Sequence, residues 1–107
     1  MWYAVNLLYK STHIPTEAQP TLWEESILLI AAGSEADARV QAERIATLRT
    51  RTYQVEDGLV IWNLERIERV YSIEHEVLQS GTEVFSRFLR DSEVKSLLTP
   101  FEDESLD

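Results

Sequence analysis

The sequence predicts one α+β domain: a mainly antiparallel sheet of about five strands, with one long helix on one of its faces and a short C-terminal helix. Three observations predict this class. The chain has 107 residues, which suits a single domain. Hydrophobic residues make up 44% of it and charged residues 27%, the balance of a chain that folds around one core. Along the chain, several segments with strand-like patterns surround one long segment with helical spacing.

The N-terminal third of the chain predicts two strands. Residues 2–9 mix aromatic and β-branched side chains without glycine or proline, which is typical of a strand. A polar loop follows as far as Pro20, because two of the three prolines lie in it. Residues 22–32 begin polar and become uniformly apolar, as in a strand covered on both faces. We therefore expect the second strand at the centre of the sheet.

One amphipathic helix follows the second strand. Ser34 is a favoured N-cap residue and predicts that the helix begins at Glu35. Four apolar residues recur at helical spacing and mark the side that packs on the sheet, namely Ala38, Ala42, Ile45 and Leu48. Because two of them are alanines, we expect the helix to approach the sheet closely.

A β-hairpin is predicted around Asp57-Gly58, since this dipeptide supports a tight turn between two apolar segments. The residues that follow, 64–73, mix strand and helix spacing, and we interpret them as an extended but bent continuation of the second arm.

The C-terminal part of the chain predicts one more strand and one short helix. Residues 82–89 alternate between apolar and polar side chains and favour a strand, with a helix as the alternative. Residues 91–98 predict a short helix that ends before Pro100. We divide the chain into a domain of residues 1–99 and an acidic C-terminal tail of residues 100–107.

The tail is expected to be solvated, because acidic residues repel one another there. The alternative is that Phe101 docks into the core or across a dimer interface.

Charge and composition exclude several classes of function. The formal net charge of −9 repels phosphate backbones, so nucleic acid is not an expected partner. The absence of cysteine excludes disulfides, thiolate zinc sites and cysteine nucleophiles. No apolar run reaches the ~18 residues of a membrane span, so we expect no membrane association and a cytoplasmic location.

The sequence predicts no catalytic residue, no metal-ligand set and no cofactor. Its glycines do not cluster into a phosphate-binding loop, and its two histidines lack the spacing of a metal site. Glu24, Glu25 and Glu83 could supply paired carboxylates for acid–base chemistry, but they also suit ordinary surface charge paired with Arg87. The three tryptophans either complete the core or anchor an interface.

Several short segments resemble the bacterial domain-of-unknown-function family 4288. They include Trp2-Tyr3-Ala4-Val5, the stretch from Leu22 to Ile27, and the most specific one, Gly81-Thr82-Glu83-Val84-Phe85-Ser86-Arg87. The resemblance spans roughly residues 1 to 90 and implies a small bacterial domain without assigned activity. It carries over no catalytic residue.

We expect a non-enzymatic interaction protein, of which an inhibitor or an immunity-type protein would be one version. One helix covers only one face of the sheet, so the other face must be covered by the C-terminal segment or by a second copy of the chain. We predict a homodimer, and the acidic surface favours a basic protein partner. The alternative is a small hydrolase-like enzyme that uses clustered carboxylates with a divalent cation. The candidate residues for an interaction or shared site are Trp23, Glu24, Glu25, Trp62, Glu83 and Arg87.

Overall fold

The computed structural model of the protein describes residues 1–15 and 21–99. It contains four strands and two helices in the order β1 (Trp2–Ile14), β2 (Trp23–Ala31), α1 (Glu35–Leu48), β3 (Arg51–Val55), β4 (Gly58–Ile73) and α2 (Asp91–Leu98). The strands form one antiparallel sheet, so the predicted α+β class is confirmed. The sheet has four strands, however, and not about five.

The strand order is β2-β1-β4-β3, which places β1 and β4 in the centre and β2 at an edge. The expectation that the second strand is central was therefore wrong. Its inward side chains, Leu28 and Ile30, are buried, whereas Ile27 and Leu29 on its other side are about half exposed. Strand β2 is thus apolar on both sides, although only the side that carries Leu28 and Ile30 is buried.

The predicted last strand is also wrong, because residues 82–90 form neither strand nor helix. They cross the sheet instead and are held by side chains. The ring of Phe85 lies 5.8 Å from the ring of Tyr71, and the Arg87 guanidinium lies 3.7 Å from a carboxylate oxygen of Glu25. The alternating pattern predicted that these residues pair with a strand through backbone hydrogen bonds, whereas in the structure their side chains contact the surface of the sheet.

The core lies between α1 and one face of the sheet, which we call the helix face. In β1 this face carries Tyr3, Val5, Leu7 and Tyr9, all of them buried. Helix α1 presents three fully buried alanines to them, Ala38, Ala42 and Ala46. The close approach predicted from alanine is therefore present, and only side chains this small allow it.

The ends of α1 follow local sequence signals. The Ser34 hydroxyl accepts a hydrogen bond from the Asp37 backbone N–H at 3.1 Å, so the predicted N-cap is confirmed. Leu48 was expected on the packed side but is 82% exposed. The buried stripe continues through Ala46, and the position of Leu48 in the last turn lies away from the sheet.

The predicted hairpin joins β3 to β4, with Val55 opposite Gly58. Glu56 and Asp57 form the turn, and Gly58 opens β4 with a φ of 150°. Positive φ thus occurs at the glycine and not at Asp57. The bent continuation predicted for residues 64–73 is part of β4, and its pairing with β1 shifts register twice.

The opposite side of the sheet, which we call the open face, carries Ala4, Asn6, Leu8 and Lys10 in β1. Residues 82–90 cross this face, and α2 follows them. No Cα atom of α2 lies within 8 Å of a Cα atom in another described helix or strand. The radius of gyration of 16.7 Å exceeds the ~13 Å of a compact chain of this size, as expected when a segment projects from the body.

No helix in the described part of the chain is long and apolar enough to cross a membrane. The acidic tail of residues 100–107, including Phe101, lies outside the described residues.

Candidate functional site

The structure divides the six predicted site residues between the two faces of the sheet. Glu24 and Glu25 are neighbours in β2, so their side chains point to opposite faces. Glu25 contacts Arg87 on the open face, whereas Glu24 lies 3.6 Å from Arg51 on the helix-face side. The open face also carries Trp23 and Glu83, and the helix face carries Trp62.

A polar network on the open face joins β1, β2 and residues 82–90, which we call the crossing segment. The Asn6 side chain donates a hydrogen bond through Nδ2 to Glu25 Oε2 at 2.9 Å, and Arg87 approaches the same oxygen at 3.7 Å. Asn6 is only 1% exposed, and its Oδ1 atom has no hydrogen-bond partner among the described residues. Turning the amide over would place Oδ1 against the Glu25 carboxylate, so the hydrogen bond fixes the amide orientation.

Tyr71 supplies a second attachment for the crossing segment. Its hydroxyl donates to Glu83 Oε1 at 3.0 Å, and the Ser86 hydroxyl lies 3.5 Å from it. The rings of Tyr71 and Phe85 meet at 56°, a tilted geometry that aromatic pairs favour. Residues 83–87 are therefore held at β4 by Tyr71 and at β2 by Glu25.

The three predicted carboxylates have no partner in common. Glu24 is engaged by Arg51, Glu25 by Asn6 and Arg87, and Glu83 by Tyr71. Within residues 1–15 and 21–99, no three His, Asp or Glu side chains are grouped so that they could hold a metal ion. The arrangement anchors a segment, and it gives the metal-dependent hydrolase hypothesis no supporting ligand cluster.

Trp62 belongs to the core and is 8% exposed. Its Nε1 donates to the Tyr53 hydroxyl at 3.2 Å, and the Arg51 guanidinium lies 5.4 Å from its ring centroid. Beside it is a cavity of about 180 Å³ lined by Ser11, His13, Leu22, Tyr53, Val55, Val60 and Trp62.

His13 is buried beside the hairpin turn. Its Nδ1 lies 2.9 Å from the Pro15 carbonyl oxygen, and its Nε2 lies 3.5 Å from Asp57 Oδ1. A carbonyl only accepts hydrogen bonds, so Nδ1 carries a proton in this contact. His13 therefore lies between the end of β1 and the turn that joins β3 to β4, and its Nε2 has no hydrogen-bond partner among the described residues.

Trp23 has the opposite environment from Trp62. It is 51% exposed on the open face of the edge strand, and the Lys10 ammonium lies 5.3 Å from its ring centroid. Of the two alternatives that the sequence left open for tryptophan, Trp62 takes the core position and Trp23 has the exposure that an interface residue needs.

Exposed apolar residues follow Trp23 along β2 and continue in the C-terminal segment. In β2 they are Ile27 and Leu29, on the same side of the strand as Trp23. In the C-terminal segment they are Val84, Phe88, Leu89, Val94, Leu97 and Leu98, of which Phe88 is fully exposed. Sequence reasoning missed Ile27 and Leu29 because it placed β2 in the centre of the sheet, and it missed Asn6 because a lone polar residue in a strand carries no distinctive signal.

Comparison with known proteins gives a family but no activity. The family model described as "Domain of unknown function (DUF4288)" matches residues 2–86. No curated protein and no solved structure matches the chain. The match ends one residue before Arg87, so α2 lies outside it.

Proposed function

We propose that this chain, which belongs to the DUF4288 family, is a non-enzymatic protein-interaction domain that works as a homodimer. One observation carries the proposal: β2 is a long edge strand that carries three exposed apolar side chains on the open face, Trp23, Ile27 and Leu29. A strand of this kind has a row of backbone groups free to pair with another chain.

The two edges of the sheet differ in a way that singles out β2. The opposite edge begins with β3, which has five residues, four of them exposed, and continues along the part of β4 beyond β3. That part of β4 is protected by alternating charges in Glu65, Arg66, Glu68 and Arg69. Strand β2 has nine residues, and between Ser26 and Ala31 it carries no charge at all. Of the two sheet edges formed by the described residues, the β2 edge from Ser26 to Ala31 is the one without such charges.

A second copy fits this edge by two-fold symmetry. Antiparallel pairing of two β2 strands around Ile27, the middle residue of the strand, places the two Ile27 side chains opposite each other. The same register places the partner's Leu29 opposite Glu25. The two sheets then form one continuous sheet of eight strands, and both open faces lie on the same side of it.

Light scattering and sedimentation test the proposed dimer. We expect a particle of about 25 kDa, twice the 12.4 kDa mass of the chain, at protein concentrations in the tens of micromolar. Ile27→Lys should dissociate it, because two like charges would meet across the symmetry axis.

The matched control is Val40→Lys on the outer side of α1, since Val40 and Ile27 are 55% and 47% exposed. Val40→Lys should stay dimeric, and circular dichroism should show that both variants are folded. A wild-type protein that remains a 12.4 kDa monomer at these concentrations contradicts the proposal.

A basic protein partner is the second part of this proposal, and the net charge of −9 on each chain supports it. Such a partner should bind the protein from lysate at low ionic strength and dissociate at high salt, because screening shortens the range of charge interactions. If no bound protein is lost at high salt, charge does not drive the interaction. A cytoplasmic location, a bacterial origin and an inhibitor or immunity-type role remain expectations within this proposal.

A further inference from the structure

We infer that residues 82–98 form an arm whose outer part, residues 88–98, crosses to the other copy of the dimer, so that the two copies exchange their α2 helices and α2 of each copy packs on the open face of its partner's β2. The inference rests on the proposed homodimer and says which surfaces meet beyond the paired edges. We call residues 82–98 the arm.

The path of the arm leads toward the dimer edge. Its first contact is with Tyr71 of β4, through Glu83 and Phe85, and its next is with Glu25 of β2, through Arg87. Between these contacts the chain has crossed the central strands and arrived at the edge strand. Residues beyond Arg87 therefore leave the body of the subunit where a second β2 would begin.

Helix α2 carries the composition of a docking helix. Val94, Leu97 and Leu98 are spaced by three and four residues, so they lie on one side of the helix. None of its residues is buried, and its Cα atoms stay more than 8 Å from those of every other described helix and strand. A helix of eight residues gains most of its stability from packing, and none of the other described helices and strands of the subunit packs against it.

The nearest surface that can receive α2 is on the partner. Three residues separate Arg87 from Asp91, and the four residue steps between their Cα atoms can span ~13 Å when extended. Adjacent strands lie ~4.8 Å apart, so α2 reaches past the partner's β2 with length to spare. There it meets the partner's Ile27 and Leu29, which are about half exposed and lie on the same face as the arm.

The alternative is that α2 folds back on its own sheet. This would require the chain to reverse over Arg87, whose contact with Glu25 holds it at the edge. It would also place α2 beside residues 83–87, which already cross the open face of their own subunit. In the exchanged arrangement the chain does not reverse its direction after Arg87. Phe88, which is fully exposed in the subunit, can then pack against the partner.

Cysteine cross-linking separates these arrangements cleanly, because the chain contains no cysteine. Two single variants are made, Leu29→Cys with a purification tag and Leu97→Cys without one. They are mixed, equilibrated and oxidised with copper phenanthroline. Exchange predicts a disulfide-linked dimer of intermediate size that contains one chain of each kind. Leu48→Cys replaces Leu29→Cys in the control mixture, because Leu48 is exposed but lies on α1 at the other side of the sheet.

The outcomes separate the arm from the dimer itself. A mixed disulfide that forms at least about tenfold faster than in the control supports exchange. In the double variant Leu29→Cys/Leu97→Cys, a disulfide within one chain instead overturns it. A dimer seen by light scattering with no mixed disulfide above the control also overturns exchange but leaves the proposed dimer standing. A monomer at every concentration overturns both.

A second measurement needs no cysteine. Leu97→Ser/Leu98→Ser should raise the dimer dissociation constant by about tenfold or more, since it removes much of the apolar side of α2. Leu48→Ser, which removes an equally exposed leucine from α1, should leave the constant unchanged. Equal constants for the two variants would show that α2 does not dock.

Discussion

Replacing each of the three glycines by alanine should produce three different losses of stability, and the largest should occur at Gly58. This glycine has a φ of 150°, and an added Cβ would overlap the backbone carbonyl of Ile14. Gly81 has a φ of 91° but open space around it, and Gly33 has open space and no positive φ. The series therefore separates backbone strain from steric overlap.

The expected magnitudes follow from these environments. Gly33→Ala should be neutral or stabilising by up to ~1 kcal/mol, because alanine restricts the unfolded chain. Gly81→Ala should lower the free energy of unfolding by about 1–2 kcal/mol, the usual effect of a side chain at positive φ. Gly58→Ala adds a forced backbone shift of ~1–3 kcal/mol to its strain and should lose about 3 kcal/mol or more.

Urea denaturation followed by tryptophan fluorescence measures all three variants, since the buried Trp62 reports loss of the core. The slope of the transition should stay constant, and the midpoint should fall most for Gly58→Ala. In thermal scans its loss corresponds to a drop in Tm on the order of 15 °C. If Gly58→Ala unfolds within about 1 kcal/mol of Gly33→Ala, the hairpin does not approach Ile14 closely enough to exclude a Cβ.

Three further predictions concern the helix, a buried tyrosine and the tail. Ala42→Leu should lower the free energy of unfolding by about 1–3 kcal/mol through overpacking against the sheet, while Val40→Leu on the outer side of α1 should not, as urea denaturation can show. Burial raises the pKa of the Tyr9 hydroxyl above its ordinary value of 10.0. The Tyr9 hydroxyl therefore ionises at lower pH in the unfolded chain than in the folded one, and the free energy of unfolding falls as the pH rises above 10. Tyr9→Phe should make this fall less steep, as denaturation at a series of alkaline pH values can show. A chain that ends at Thr99 should keep its Tm within about 3 °C; a clear drop, or loss of the dimer, would show that the tail docks.

Local signals in the sequence were sufficient for most elements of the fold. Helix α1 depends on a cap at Ser34 and on an apolar stripe of neighbouring turns, and the hairpin depends on Gly58. Helix α2 was predicted from residues 91–98 alone. Each of these features is decided by interactions between residues close together in the chain, and such interactions leave a readable pattern.

Strand order and the path of residues 82–90 could not be predicted, because they depend on contacts between distant residues. Ile27 and Leu29 have the same residue types whether they face a core or a dimer partner, so the pattern placed β2 wrongly in the centre. The sequence offered Glu24, Glu25 and Glu83 alike as surface charges that could pair with Arg87, and the structure pairs Arg87 with Glu25. The burial of Asn6 was not foreseen, since a single polar residue in a strand gives no sign of which side chains will cover it.

The order of the strands also governs how the chain must be assembled. Strand β1 is made first but pairs along its length with β4, and its partners run from Ile14 with Leu59 to Trp2 with Ile73. During synthesis the ribosome therefore releases a β1–β2 hairpin whose inner edge stays bare until β4 emerges. Helix α1 must meanwhile carry the chain from one edge of the sheet to the other, because β2 and β3 lie at opposite edges. The pairing of β1 with β4 joins the strands that are farthest apart in the sequence, so we expect this step to limit the folding rate. Until it closes, the bare edge of β1 is where a nascent chain is most exposed to pairing with the wrong strand.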